Sequence, residues 1–79
     1  MDVHEALSIA ARNAGLSSNQ LSRRAGKSDA YIAAAKSRNS IYRADILAGL
    51  AEPAGYCLAL IPAKDVPASA LIIDGPKEA

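Results

Sequence analysis

The stretch that decides the fold is Ser18-Asn19-Gln20-Leu21-Ser22-Arg23-Arg24-Ala25-Gly26-Lys27-Ser28-Asp29-Ala30-Tyr31-Ile32-Ala33-Ala34-Ala35-Lys36. Ser17 or Ser18 can cap a helix that runs from residue 19 to residue 25 and stops at Gly26, a residue able to take the positive φ of a tight turn. Ser28 can cap the next helix, from Asp29 to about Lys36, in which Ile32 and Ala35 share a face. Two helices of about two turns each, joined at a glycine, need a small residue where they cross, an apolar residue on each to hold the angle, and a cap for the second. Ser22, Leu21, Ile32, Gly26 and Ser28 meet those needs.

Working outward, residues 2–14 place Val3, Leu7, Ala10, Ala11 and Ala14 at helical spacing, with Gly15 behind them as a stop. A fourth helix is predicted to begin near residues 40–42, to bury Ile46, Leu47 and Leu50, and to end around Pro53 and Gly55. The pattern then changes. Residues 56–61 and 70–73 are short apolar runs closed by Pro62 and by Asp74-Gly75-Pro76, and both read as strands. The eight residues between them hold two prolines and two charges and form a turn or loop. Residues 75–79 read as a loose tail.

The expected organisation is therefore mainly α: a four-helix domain over residues 1–55, then a β segment over residues 56–74 that forms either a hairpin or dimer-building strands. With 79 residues there is room for one domain with a small core. Half of the composition is apolar, but there is no Phe or Trp and only three Tyr, so that core must be thin and closely packed.

Charge is segregated. Between residues 12 and 43 seven cations (Arg12, Arg23, Arg24, Lys27, Lys36, Arg38 and Arg43) face one acid, Asp29, for a net +6, while the remainder carries two cations and seven acids, a net −5. A basic middle on a near-neutral chain suits a polyanion partner. Cys57 stands alone, which rules out an internal disulfide and fits a reducing compartment. No apolar run approaches the roughly 18 residues of a membrane span, and the first five residues lack a basic leader, so a cytoplasmic protein is expected.

The 18–36 stretch resembles the helix-turn-helix of the phage repressor, Cro and XRE family, whose pattern Leu-(Ser/Thr)-Gln-x-x-Leu-Ala-x-x-x-Gly-x-Ser-x-x-x-Ile is matched in register by Leu16, Ser17, Leu21, Gly26, Ser28 and Ile32. The likeness covers roughly residues 2–55, and residues 46–56 look like that family's last helix and closing Gly-aromatic. Ser18, Ser22, Ala25, Lys27 and Lys36 depart from the pattern, standing where Gln, Ala, Leu, an apolar residue and Glu are usual.

The resemblance implies a fold in which the third helix enters the major groove while neighbouring helix ends hold phosphates. By position it implies base reading by Asp29, Ala30, Tyr31, Ala33 and Ala34, with Tyr31 the richest reader through its hydroxyl and ring. Asp29 has two open roles, accepting from cytosine N4 or complementing the helix dipole. Phosphate contact is expected from Ser17, Ser18, Asn19, Lys27, Lys36, Arg38, Asn39 and Arg43, where hydroxyl, amide and cationic groups gather at helix ends. Arg12, Arg23 and Arg24 read as solvated surface cations. Tyr42 either packs at the start of the fourth helix or touches a phosphate. The alanines offer only apolar contact, so discrimination leans partly on DNA shape.

Both faces of residues 56–61 are apolar, whereas a hairpin on a small domain buries only one. A homodimer is expected on that ground, with Tyr56, Cys57, Leu58, Leu60, Leu71 and Ile73 at the interface and two recognition helices about 34 Å apart on a pseudo-palindromic site. The expected function is sequence-specific double-stranded DNA binding by a transcriptional regulator, in the manner of a repressor of a phage, mobile-element or toxin operon. The alternative is an antitoxin or adaptor whose C-terminal segment grips a protein by strand addition.

No paired acids, Ser/His/Asp order or glycine-rich phosphate loop points to catalysis, and no cofactor is called for. His4 has no second ligand at metal spacing and reads as a surface histidine, and Cys57 as a small buried apolar residue.

Overall fold

A computed structural model of the protein describes residues 1–74, so the expected tail at 75–79 lies outside the described residues. Four helices run in order: α1 Val3–Asn13, α2 Ser18–Arg24, α3 Tyr31–Arg38 and α4 Ala44–Ala51. Short 3-10 turns occupy Glu52–Ala54 and Ala63–Asp65. The Asp2 carboxylate caps α1 by accepting the Glu5 amide at 2.8 Å.

The core is as thin as the composition requires. Leu7, Ala10 and Ala11 of α1, Leu21 of α2, Ile32 of α3, Leu50 of α4 and Ala54 form one buried cluster, with Leu16, Tyr31, Tyr42, Ile46, Leu47, Tyr56 and Leu71 packed on its margin. Alanines at the helix contacts let the backbones approach closely, and Leu21 and Leu50, both fully buried, provide most of the large apolar volume at the centre. Ala14 is exposed, and Val3, Ile46 and Leu47 are half-buried.

Two helix starts differ from the sequence reading. The third helix begins at Tyr31 rather than Asp29, with Ala30 as a cap that makes no side-chain bond. The Asp29 carboxylate is held elsewhere, in a two-pronged pair with Arg23 at 3.0 and 3.1 Å, and the Tyr31 amide closes a turn onto the Ser28 carbonyl at 3.1 Å. The fourth helix begins at Ala44 rather than 40–42 because the residues before it are engaged outside a helix: the Ser40 amide donates to Ala35 at 2.9 Å, and the Ser40 carbonyl accepts from His4.

The C-terminal segment differs most. Among the described residues no strand forms, and the expected hairpin between residues 56–61 and 70–73 is not made. After Gly55 the chain runs as irregular backbone, turns at Ala63–Asp65, where the Asp65 amide reaches Pro62 at 2.8 Å, and turns again where Ala70 bonds Pro67 at 3.1 Å. Leu71 then drops onto the helical core. Met1 anchors residues 72–74: its ammonium donates to the Ile72 carbonyl at 3.2 Å and pairs with Asp74 at 2.6 Å, and the Asp74 amide donates back to the Met1 carbonyl at 3.1 Å. Two turns anchored by prolines separate the apolar runs, and among the described residues no backbone hydrogen bond joins them, although Leu58 and Leu71 line one groove against α1 and α4. No described helix is long and apolar enough to cross a membrane.

Candidate nucleic-acid interface

The α2–α3 pair is built from local chemistry. Ser17 and Gln20 form a reciprocal cap at the start of α2: the Gln20 amide donates to Ser17 Oγ at 3.1 Å, and the Ser17 amide donates to Gln20 Oε1 at 2.9 Å. At its far end Gly26 takes φ +80°, and the Lys27 amide reaches back to the Ser22 carbonyl at 3.0 Å. That left-handed residue turns the chain into α3.

The crossing is braced by Ser22. Its side chain has no solvent exposure, and its Oγ donates to the Ser18 carbonyl at 2.8 Å while accepting the Ile32 amide at 3.2 Å. Ile32 lies in the first turn of α3, where an amide has no partner within its own helix. A hydroxyl at the crossing thus does what an alanine there cannot, tying the second helix to the first. Sequence reading treats Ser22 only as a small residue, and the available signal was a polar group predicted on a buried face.

The residues expected to read bases lie along the start of α3 and the turn before it. Asp29 and Ala30 are exposed in the turn, Ala33 is exposed on the helix, and Ala34 is half-buried. The Arg23 guanidinium, bonded to Asp29 and close to it in charge, holds the Asp29 carboxyl below the usual carboxylate range. The only acid of the basic segment is thereby neutralised by its neighbour, and Arg23, read as a free surface cation, is engaged. Tyr31 is half-buried against the core margin, with Lys27 Nζ 5.3 Å from its ring centroid and the Tyr42 ring 6.2 Å away. One face of the Tyr31 ring therefore packs inward, and a cation sits over the ring.

The polar groups expected at phosphates gather at the helix ends. Ser17 and Asn19 are exposed and Ser18 half-buried at the start of α2. Lys36 and Arg38 project from the last turn of α3, and Asn39 closes it in the left-handed conformation, φ 54° and ψ 41°. Arg43 precedes α4 and reaches Asp45 at 3.3 Å. Lys36 and Arg38 enter no ion pair among the described residues.

Tyr42 packs inward, which favours the first of its two sequence readings. Its ring lies 5.6 Å from that of His4, and burial raises its phenol pKa, reinforced by Tyr31 and opposed by Arg38. His4 itself is a correction: it is 7% exposed, and because a carbonyl only accepts, its Nε2 donates to the Ser40 oxygen at 2.8 Å. The folded-over loop after α3 hides a histidine that the first turn of a surface helix would otherwise expose.

The residues expected at a dimer interface divide. Tyr56 and Leu71 are half-buried, with the Tyr56 hydroxyl accepting from Asn13 Nδ2 at 2.9 Å. Cys57 is exposed, against the expectation that it is buried, because no second strand covers residues 56–61. Leu58, Leu60 and Ile73 are exposed too, Leu60 completely, and Ile61 and Ile72 join them. Sequence reading puts those two isoleucines in strands without naming them at the interface, and gives no role to Ile41, 86% exposed in the loop after α3.

Among the described residues no group of His, Cys, Asp and Glu is arranged to hold a metal. In comparison with known proteins, the chain matches no family model, no curated protein and no solved structure.

Proposed function

We propose that the protein binds double-stranded DNA sequence-specifically through α2, its turn and α3, and acts as a transcriptional regulator of the repressor type. The observation that carries this reading is the α2–α3 pair itself: two short helices fixed at a glycine turn by the Ser22 brace, with Lys36 and Arg38, in no ion pair among the described residues, at the exit of the second. Such a pair offers an exposed helix to a major groove and cations to the flanking phosphates. The exposed residues at the start of α3 are Ala30 in the cap and Ala33, followed by Lys36, Ser37 and Arg38, so its first turn demands close approach rather than long-reach side chains.

The working unit in this reading is a homodimer on a pseudo-palindromic site. Support comes from Leu58, Leu60, Ile61, Ile72 and Ile73, five exposed aliphatic residues on one short segment, more than a small monomer needs to leave in water. Their cover would be the same segment of a second copy. The groove beside them, lined by Leu7, Ala10, Leu47, Ala51, Leu58 and Leu71, is apolar enough to receive it. Among the described residues, the backbone of 57–61 makes no backbone hydrogen bond, so it is also free to pair as a strand across the two-fold axis.

The same open backbone favours a second reading, an antitoxin or adaptor that captures a protein by strand addition. Selection of bound duplexes from random DNA by the full chain distinguishes them. Recovery of a two-fold symmetric motif, with sedimentation as a dimer that Leu60→Glu disrupts, is the expected result. Failure to enrich any sequence would refute the DNA-binding reading, and a monomer at tens of micromolar would refute the dimer.

A further inference from the structure

Three aromatic rings link α1 to α3. The His4 ring is 5.6 Å from that of Tyr42, at an interplanar angle of 59°, and the Tyr42 ring is 6.2 Å from that of Tyr31, at 31°. Both separations lie in the range where aromatic pairs attract beyond the area they bury. The His4 end is tied to the backbone: the side chain is 7% exposed, and its Nε2 donates at 2.8 Å to the carbonyl of Ser40, two residues before Tyr42. At the Tyr31 end, Lys27 Nζ sits over the ring, 5.3 Å from its centroid.

The middle ring serves by its face, not by its hydroxyl. Tyr42 Oη is buried with no hydrogen-bond partner among the described residues, a cost that a phenyl ring would not carry. On α3, Ile32 and Ala35 are buried, whereas Ala33, Lys36, Ser37 and Arg38 are exposed. Tyr31 and Ala34, half-buried and three residues apart, start the stripe that borders the buried one, and Arg38 ends it. A tyrosine on that border, at the first position of the helix, can lay its ring along the core margin or swing it into solvent by rotation about χ1. The Tyr42 ring, backed by His4, packs against Tyr31 and so selects between the two.

Resting on the DNA-binding reading above, we propose that Tyr42 is a positioning residue for sequence recognition: its ring, backed by His4, holds Tyr31 in the orientation that reads a base. The test uses the full chain, first in selection from random DNA and then in affinity measurements on the recovered duplex and its single-position variants. Tyr31→Ala is expected to lose base preference at one position per half-site. Tyr42→Leu should lose about two- to tenfold in discrimination at that position alone, the worth of one aromatic pair, and nothing further in the Tyr31→Ala background. Tyr42→Phe, which keeps the ring and drops the orphan hydroxyl, should retain the wild-type preference with an equal or higher thermal midpoint. A purely structural Tyr42 would instead lower the midpoint on truncation and weaken binding to every duplex alike. In the wild-type complex, NMR cross-relaxation should connect the Tyr31 ring both to a base and to the Tyr42 ring, a measurement that needs no variant to fold. Unchanged preference in Tyr42→Leu, additive losses in the double variant, or a Tyr31 ring that touches no base overturns the positioning role while leaving DNA binding intact. A chain that enriches no duplex overturns both readings together.

Discussion

Replacing Ser22 by alanine puts the brace at the helix crossing to a direct test, because two physical effects compete. The variant removes the acceptor of the Ile32 amide, in a place where Ser22 is fully buried and Ile32 is 4% exposed, so water cannot take over the bond. A buried donor left without a partner costs about 1–3 kcal/mol. The second bond, from Ser22 Oγ to the Ser18 carbonyl, matters less, since α-helical geometry already pairs that carbonyl with the Ser22 amide. Against the loss stands alanine's better helix propensity, worth about 0.5 kcal/mol in α2.

The balance is a destabilisation of about 1–2 kcal/mol. For a chain of this length total stability is only about 4–12 kcal/mol, and each kilocalorie moves the thermal midpoint by about 4–8 °C. Thermal and urea unfolding followed by circular dichroism should therefore show Ser22→Ala melting about 5–15 °C below the wild type, and the Ile32 amide should lose protection against hydrogen exchange. Alanine is also small enough for a close helix crossing, which makes the opposite outcome meaningful. A variant as stable as the wild type, with Ile32 still protected, would refute the brace and mark the hydroxyl as a passenger.

Three further outcomes concern the same segment. Asp29, held below the ordinary carboxylate range by Arg23, should titrate low in a carboxyl-detected NMR experiment and return to the ordinary range in Arg23→Ala. Because its folded pKa is depressed, whatever the pair adds to stability is fully present above the ordinary carboxylate value and fades as pH falls through the lowered one. Gly26→Ala should cost about 1–2 kcal/mol in urea unfolding: an added Cβ meets no atom within 4 Å, so the left-handed φ of +80° is the whole penalty. Lys36→Ala and Arg38→Ala should each reduce the slope of log affinity against log salt on a selected duplex by about 0.9, with Arg24→Ala unchanged.

What the sequence made legible was the short-range order. Leu7, Ala10, Ala11, Leu21, Ile32 and Leu50 announce themselves by helical spacing, and all six are buried. Gly26 announces the turn, and it has the positive φ. What stayed hidden were pairings that no period encodes. Arg23 captures Asp29 from six residues away and delays α3 by two residues. The Ser40 carbonyl captures His4 from thirty-six residues away, burying a histidine and delaying α4. The C-terminal runs failed differently. Alternating and continuous apolar residues tell that a segment wants cover, but not which surface provides it. Within one chain Leu71 finds the helices while Leu60 finds nothing.

That last contrast bears on how a face so poor in polar readers could select a sequence. Under the DNA-binding reading each α3 and the turn before it offer Ala30, Ala33 and Ser37 in the open, a Tyr31 partly turned inward, and an Asp29 whose charge is already met. Few contacts mean little discrimination per half-site. A two-fold pair of such helices squares whatever discrimination one has, and a fixed separation adds a geometric criterion that costs no further side chains. The exposed aliphatic residues of the C-terminal segment and the alanines of α3 are then two parts of one requirement. A monomeric version of this surface would bind phosphates about as well anywhere on a duplex, so loss of the dimer through Leu60→Glu should erase sequence preference before it erases binding.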